Sequence, residues 1–303
     1  MKIHFTKMQG TGNDYIYISC ADKIPFDPAA LASVMCPRRL SVGADGIVLI
    51  CPSQKADAAM RIFNADGSEG KMCGNAIRCV GKYLWDSRAV RETTLTVETL
   101  SGVKTLTLRT NGAAVSSVSV DMGYAEFAPE KIPVLSVGKM IGSEITAGGM
   151  RARVTALSVG NPHAVVFCGD IASLDLKKIG SAFEHHPLFP ERVNTEFVRI
   201  ISRTEIEMRV WERGSGETWA CGTGACAAVC AAVENSLCDA ETDVRVRLHG
   251  GELTVRVGAD RRITMEGDAV RVYDGTFDFR GLRRRRRSGH ENKDQRRLSR
   301  TEG

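Results

Sequence analysis

The stretch MRIFNADGSEGKMCGNAIRC occupies residues 60–79, and MRVWERGSGETWACGTGAC occupies residues 208–226. A shift of 148 positions lays one on the other without a gap. Met60-Arg61-Ile62-Phe63-Asn64 falls on Met208-Arg209-Val210-Trp211-Glu212, Glu69 on Glu217, and Cys73-Gly74 on Cys221-Gly222. The same shift carries Gly12-Asn13 onto Gly160-Asn161 and Gly102 onto Gly250. One or two such matches would be chance. This many at one offset indicate two halves with the same fold.

Local patterns agree with the repeat. Residues 14–19, 47–51 and 59–64 read as strands, as do 163–168, 197–201 and 206–212. LTVETLSGVKTLTLRT breaks at Ser101-Gly102, a hairpin signal that VRVRLHGGELTVRV repeats at Gly250-Gly251. After the first Cys-Gly, Ile77, Val80, Leu84 and Trp85 share one helical face. After the second, residues 225–233 are nearly all Ala, Val or Cys, the composition of a helix buried on most sides. The expected fold is α+β, with two pseudo-symmetric domains. Each is a mostly antiparallel sheet or barrel around a central helix, and the active site lies in the cleft between them. Residues 1–123 form the first half and 124–269 the second. Residues 124–148, with Pro129 and Pro133, read as the crossover.

The 303 residues are 43% hydrophobic and 25% charged, which excludes a disordered or collagenous chain. No apolar run reaches the length of a membrane span, and MKIHFTKMQG has no export-signal character, so a cytoplasmic protein is expected. Residues 281–303 hold nine Lys/Arg and three Asp/Glu of the chain's 41 and 36, leaving 32 basic and 33 acidic groups elsewhere. The basic balance therefore belongs to this tail. With Arg283 to Arg287 in an unbroken run, the tail reads as a disordered, solvated extension and not as a nucleic-acid-binding segment. Ten cysteines fall without any C-x-x-C spacing, so neither a zinc ribbon nor a dithiol redox motif is present. Cys79, Cys226 and Cys230 sit inside the helices and read as core. A zinc site using Cys221, Cys226 and Cys230 has no evident fourth ligand.

Cys73 and Cys221 fall where their helices begin, beside unpaired N–H groups and the positive end of the helix dipole. A carboxylate can bind there, and a thiol there should ionise more readily. If the halves face each other about a pseudo-two-fold axis, one cysteine stands on either side of the carbon that carries the bound carboxylate. Two opposed groups can abstract a proton from one face and deliver another to the opposite face, which inverts the carbon. Either cysteine alone would read as a buried structural residue; their repetition at equivalent positions favours the catalytic reading. A Schiff-base cofactor is poorly supported, because Lys71 in the first turn is matched by Trp219 in the second.

At these residues the sequence resembles the diaminopimelate epimerases. The likeness runs through MQGTGNDY (8–15), SVGADG (41–46), IFNADGSEGKMCGNAIRC (62–79), VGNPHAVVF (159–167), RVNTEFV (192–198) and WERGSGETWACGTGACAA (211–228). The resemblance implies cofactor-free, metal-free conversion of LL-diaminopimelate to the meso form, a step towards lysine and peptidoglycan precursors. It also implies a homodimer, and a last strand near 270–280 that returns to the first half. Cys73 and Cys221 match the catalytic pair. Gly74-Asn75 and Gly222-Thr223 match the backbone cradle for the reacting carboxylate. Asn13, Asn64, Asn161, Asn194, Glu212 and Arg213 match positions that hold the rest of the substrate, and His163 matches a supporting position. The chemistry suits these residue types. Arg213 offers a fork to a distal carboxylate. Glu212 and the asparagine carbonyls can accept from an ammonium. Equally, Asn13 and Asn161 could shape turns and Asn64 could cap one. One departure stands out: many family members have Gln where this chain has Gly46. A proline or hydroxyproline racemase would share the cysteine pair but would not need Arg213 and several asparagines for a second amino-acid head. A redox sensor would leave the repeated Gly-rich turns unexplained.

Overall fold

The computed structural model describes residues 1–20 and 24–279; the basic tail at 281–303 lies outside the described residues. The first part of the chain runs β1 (Lys2–Gly10), β2 (Asn13–Ser19), α1 (Pro28–Met35), β3 (Gly46–Cys51), β4 (Ala58–Asn64), β5 (Glu69–Gly70), α2 (Gly74–Asp86), β6 (Thr94–Thr99), β7 (Gly102–Asn111) and β8 (Ala114–Tyr124). The second runs β9 (Ser143–Ala147), β10 (Met150–Ser158), β11 (Pro162–Phe167), α3 (Leu176–Glu184), β12 (Asn194–Ser202), β13 (Glu205–Glu212), β14 (Gly216–Thr218), α4 (Gly222–Glu234), β15 (Asp243–Leu248), β16 (Gly251–Val257), β17 (Arg262–Gly267) and β18 (Val270–Asp278). Shifted by 148, α2 falls on α4 at both ends.

Strand pairing repeats in the same way. The β2–β3 and β11–β12 pairs are parallel, and β4–β6 and β13–β15 are parallel too. The other ladders are antiparallel, as the sequence patterns indicate. Even the ion pairs repeat. Arg61 Nε lies 2.7 Å from Glu69, and Arg209 Nη2 lies 2.8 Å from Glu217, each clamping a short strand to its neighbour. The last strand of the chain returns to the first half. β18 pairs with β1 from Lys2↔Asp278 to Gln9↔Val270, as β9 pairs with β10. β8 and β17 pair antiparallel and close the seam between the halves. The 124–148 stretch is therefore more than a connection, because it supplies β9.

Each half sandwiches a sheet between two helices, and strand alternation assigns the side chains. Ile16, Ile18, Ile47 and Leu49 face α1, whereas Tyr15, Tyr17, Val48 and Ile50 join the core around α2. In the second half Ala164, Val166 and Phe197 pack with α3, and Val165 and Val198 join α4. Residues Ala225–Ala232 of α4 are all buried, as their composition predicts for a central helix. Neither α1 nor α3 stands out in the sequence. α1 has only eight residues and begins with Pro28, capped by Asp27, whose carboxylate accepts from Ala29 N–H at 3.0 Å.

Candidate active site

Both central helices are capped by sulfur. Cys73 and Cys221 hold extended backbone at the N-cap positions of α2 and α4. The Cys73 sulfur accepts from Ala76 N–H at 3.5 Å, and the Cys221 sulfur accepts from Gly224 N–H at 3.3 Å. This is the place where Ser, Thr, Asp or Asn usually serves, and the cap points each sulfur along the helix mouth. The N–H groups of Gly74 and Asn75, and of Gly222 and Thr223, follow as the opening donors of each helix, with no intrahelical acceptor. The two mouths meet: a methyl group built on Gly74 would lie 3.8 Å from Gly222 Cα and 2.7 Å from Met265 Cε. Met265 touches the position of Gly222 as well, so the two glycines let both helices close on the same side chain. The shared cleft has a volume of about 1840 Å³.

The surroundings of the two thiols differ. Burial pushes both up from the ordinary thiol value, against the pull of the helix N–H groups. The helix-terminus argument from sequence, that both thiols should ionise readily, is thus corrected: desolvation outweighs the dipole here. The rise is larger at Cys221, which is 6% exposed and is pushed up by burial first and then by the neighbouring Glu212 carboxylate. Cys73 keeps more surface, lies 3.4 Å from Asn13 Oδ1, and is drawn down by the Tyr15 hydroxyl as well as by its helix N–H groups. Glu212 is itself raised by burial, with the Thr218 hydroxyl and the Cys221 thiol pulling it back.

Asn13, Asn64, Gly74, Asn75, Asn161, Asn194, Glu212, Arg213, Gly222 and Thr223 line the cleft together with both cysteines. His163 does not line it. It is wholly buried one layer behind, 3.0 Å from Asn161 Oδ1 and 2.7 Å from Glu196 Oε1. Asn194 already uses part of its amide within the protein, donating to Pro162 O and accepting from Arg213 N–H, both at 2.9 Å. It therefore braces the turn that presents Arg213, whose guanidinium donates to Glu191 O. Cys79, Cys226 and Cys230 lie in the core. Among the described residues no three His, Cys, Asp or Glu side chains gather as metal ligands.

Sequence reasoning missed Tyr15, Asp45, Glu196 and Thr218. One signal was available: the 148-residue shift places Tyr15 on His163 and Val48 on Glu196. Tyr15 also explains Gly46. A methyl group at position 46 would lie 2.8 Å from Tyr15 Cε1 and 2.4 Å from Phe63 O. The tyrosine ring occupies the space that a longer side chain at 46 would need.

One sheet-and-helix unit used twice, with a capping thiol from each copy in a shared cleft, defines an isomerase of the racemase and epimerase class. At the level of fold alone, a probable proline racemase from Agrobacterium radiobacter K84 is similar, with TM-score 0.64, 18% identity, and coverage of 91% of this chain and 93% of that one. A PhzF-family phenazine biosynthesis protein from Bacillus anthracis has TM-score 0.65 at 16% identity, covering 92% of this chain and all of that one. The sequence profile of the diaminopimelate epimerase family matches residues 5–128 and 155–272. Diaminopimelate epimerases from Acetivibrio thermocellus and Desulfovibrio desulfuricans are 46% and 48% identical, covering 92% and 91% of this chain and 100% and 98% of their own lengths. This chain belongs to the diaminopimelate epimerase family.

Proposed function

We propose that this epimerase converts LL-2,6-diaminopimelate to the meso form, in lysine and peptidoglycan-precursor biosynthesis, with Cys73 and Cys221 as its two bases and no cofactor. The observation that carries the reading is the convergence of two sulfur-capped helix N-termini on one cleft. The reacting carboxylate sits on the N–H groups of Gly74, Asn75, Gly222 and Thr223. As the α-carbon loses its proton, negative charge grows on that carboxylate and the helix N–H groups stabilise it. One thiolate takes the α-proton, so that the C–H bond breaks and an S–H bond forms. The opposed thiol gives its proton to the other face, so that its S–H bond breaks and the inverted C–H bond forms. Each turnover exchanges thiol and thiolate, and the reverse reaction restores them. Glu212 beside Cys221, and the Tyr15 hydroxyl and helix N–H groups beside Cys73, make Cys73 the easier of the two thiols to ionise.

Glu212 and Asn64 accept from the ammonium groups, and Arg213 with Asn13, Asn161 and Asn194 holds the distal head. His163 supports this set from behind. We take residues 1–123 with 270–280, and 124–269, as the two domains. A cytoplasmic homodimer is the working assembly, supported by family membership. Sedimentation tests the dimer. The function is tested by proton exchange in deuterated water without added metal or pyridoxal phosphate. Deuterium should enter the α-carbon of diaminopimelate as LL converts to meso. No exchange with diaminopimelate, or exchange with proline instead, would overturn the substrate.

A further inference from the structure

Asn13 and Asn161 occupy the same place in the two halves, yet their amides are tied by opposite ends. Asn13 Nδ2 donates to Asp45 Oδ2 at 2.7 Å. Its carbonyl is therefore turned to the site, 3.4 Å from the Cys73 sulfur and 3.5 Å from Asn75 Nδ2. In Asn161 it is the carbonyl that is tied, 3.0 Å from His163 Nε2. A carbonyl oxygen only accepts, so His163 must carry its proton on Nε2.

The consequence passes through the ring. In a neutral imidazole with Nε2–H, Nδ1 is an acceptor and needs a donor. Its partner is Glu196 Oε1 at 2.7 Å, and both residues have no exposed surface. The other oxygen, Glu196 Oε2, is buried with no hydrogen-bond partner. An ionised carboxylate there would bury charge on an unpartnered atom, whether the ring is neutral or an imidazolium. A protonated carboxyl leaves only a neutral carbonyl oxygen unpaired, which costs far less. Desolvation favours the same form, pushing the Glu196 carboxyl up against the pull of His163. Position 224 of α4 leaves the carboxyl room, since a methyl group there would lie 2.7 Å from Glu196 Oε1. The first half has Val48 at the position equivalent to Glu196, so the arrangement exists once.

We propose that Glu196 is a positioning residue that works as a neutral carboxylic acid: its O–H donates to His163 Nδ1, fixes the Nε2–H tautomer, and locks Asn161 with its amide N–H groups turned to the cleft. The two equivalent asparagines then present opposite chemistry, a carbonyl acceptor from Asn13 and N–H donors from Asn161. A substrate carboxylate fits the Asn161 side. Only the choice of diaminopimelate as ligand rests on the function proposed above.

The test uses the full chain labelled with ¹⁵N-histidine, in wild type, Glu196→Gln and Glu196→Val. Wild type should show His163 protonated on Nε2. Glu196→Gln should keep that pattern, because the glutamine amide can donate to Nδ1. Glu196→Val should lose it and raise KM for diaminopimelate about 10-fold with less effect on kcat, the worth of one oriented hydrogen bond. In an Asn161→Ala background, Glu196→Val should change KM little further, because its effect runs through that amide. A wild-type His163 protonated on Nδ1 alone, or additive KM effects in the double variant, would overturn the proposal. If Glu196→Val does not fold, the wild-type and Glu196→Gln tautomers still decide. A wild-type enzyme inert towards diaminopimelate would sink the substrate reading and leave the tautomer measurement standing.

Discussion

Replacing Arg78 should loosen the helix mouth that holds Cys73. Arg78 lies in α2 with no exposed surface. It donates to Thr11 Oγ1 at 2.8 Å, to Asp268 O and Asn75 Oδ1 at 3.0 Å, and more weakly to Gly74 O at 3.3 Å. It thus ties the mouth of α2 to the β17–β18 connection of the second half. Arg78→Met keeps most of the stem and removes every donor. Thr11 retains Asp268 Oδ1 at 3.2 Å as a partner, but Asp268 O and Asn75 Oδ1 lose the donor that Arg78 supplies. The orphaned acceptors, buried Asn75 Oδ1 and part-buried Asp268 O, cost about 1–3 kcal/mol each. Part of this is returned because a guanidinium no longer has to be stripped of water, a penalty strong enough to lower the Arg78 pKa. The net loss is ~2–4 kcal/mol, or roughly 4–8 °C in Tm for a chain of this size. Calorimetry on wild type, Arg78→Met and Arg78→Lys measures it, with Lys falling between the other two. KM should rise in Arg78→Met, because Asn75 is no longer held. An unchanged Tm in Arg78→Met would show that the four contacts contribute nothing net, and the tie to the mouth of α2 would fail with them.

Cys73→Ala and Cys221→Ala should each cut epimerisation by at least ~10²-fold, the usual worth of a positioned acid or base, while substrate still binds to the backbone cradle; near-normal turnover in either variant refutes the two-base scheme. Iodoacetamide should label Cys73 at lower pH than Cys221, because only thiolates react and burial with Glu212 holds Cys221 higher; peptide mapping showing the reverse order would contradict that ranking. Diamide should abolish activity and dithiothreitol restore it, with loss tracking oxidation of Cys73 or Cys221; activity that survives complete oxidation of either would refute the opposed-thiol arrangement. Truncation after Arg280 should leave kcat within about twofold, as for a segment without site residues; a large loss would mean that the tail acts on the body.

The two-half architecture was readable because the repeat survives as identical residues at structurally demanding points. Arg61 and Glu69 keep their partners' spacing in Arg209 and Glu217, and each Cys-Gly opens a helix of the same length. The return of β18 to β1 was not readable from periodicity; the family resemblance alone placed a strand near 270–280 with the first half. Strand patterns identify strands and not their neighbours, and β18 carries outward Val270, Val272 and Tyr273 that give no clean alternation. The residues expected in the substrate site line one cavity. One layer back lies His163, expected in a supporting position, with Glu196, which was not singled out.

Glu196 shows why the second layer was hidden. Between Thr195 and Phe197 in a strand, a glutamate looks like the solvent-facing member of an alternation. That rule holds only when one face of the sheet meets water. Here β11 and β12 run parallel and are covered on both faces, by α3 against Phe197 and by α4 against Val198. Glu196 shares the α4 face, so its carboxyl enters the interior and meets the one ring able to use it. The repeat contained the clue in inverted form. Where two halves share a fold, equivalent positions that differ in polarity mark where the symmetry must be broken. Val48 against Glu196, Asn64 against Glu212 and Tyr15 against His163 are three such pairs, and Tyr15 acts on Cys73 while Glu212 acts on Cys221. The scaffold supplies two equivalent thiols, and these substitutions give them different surroundings.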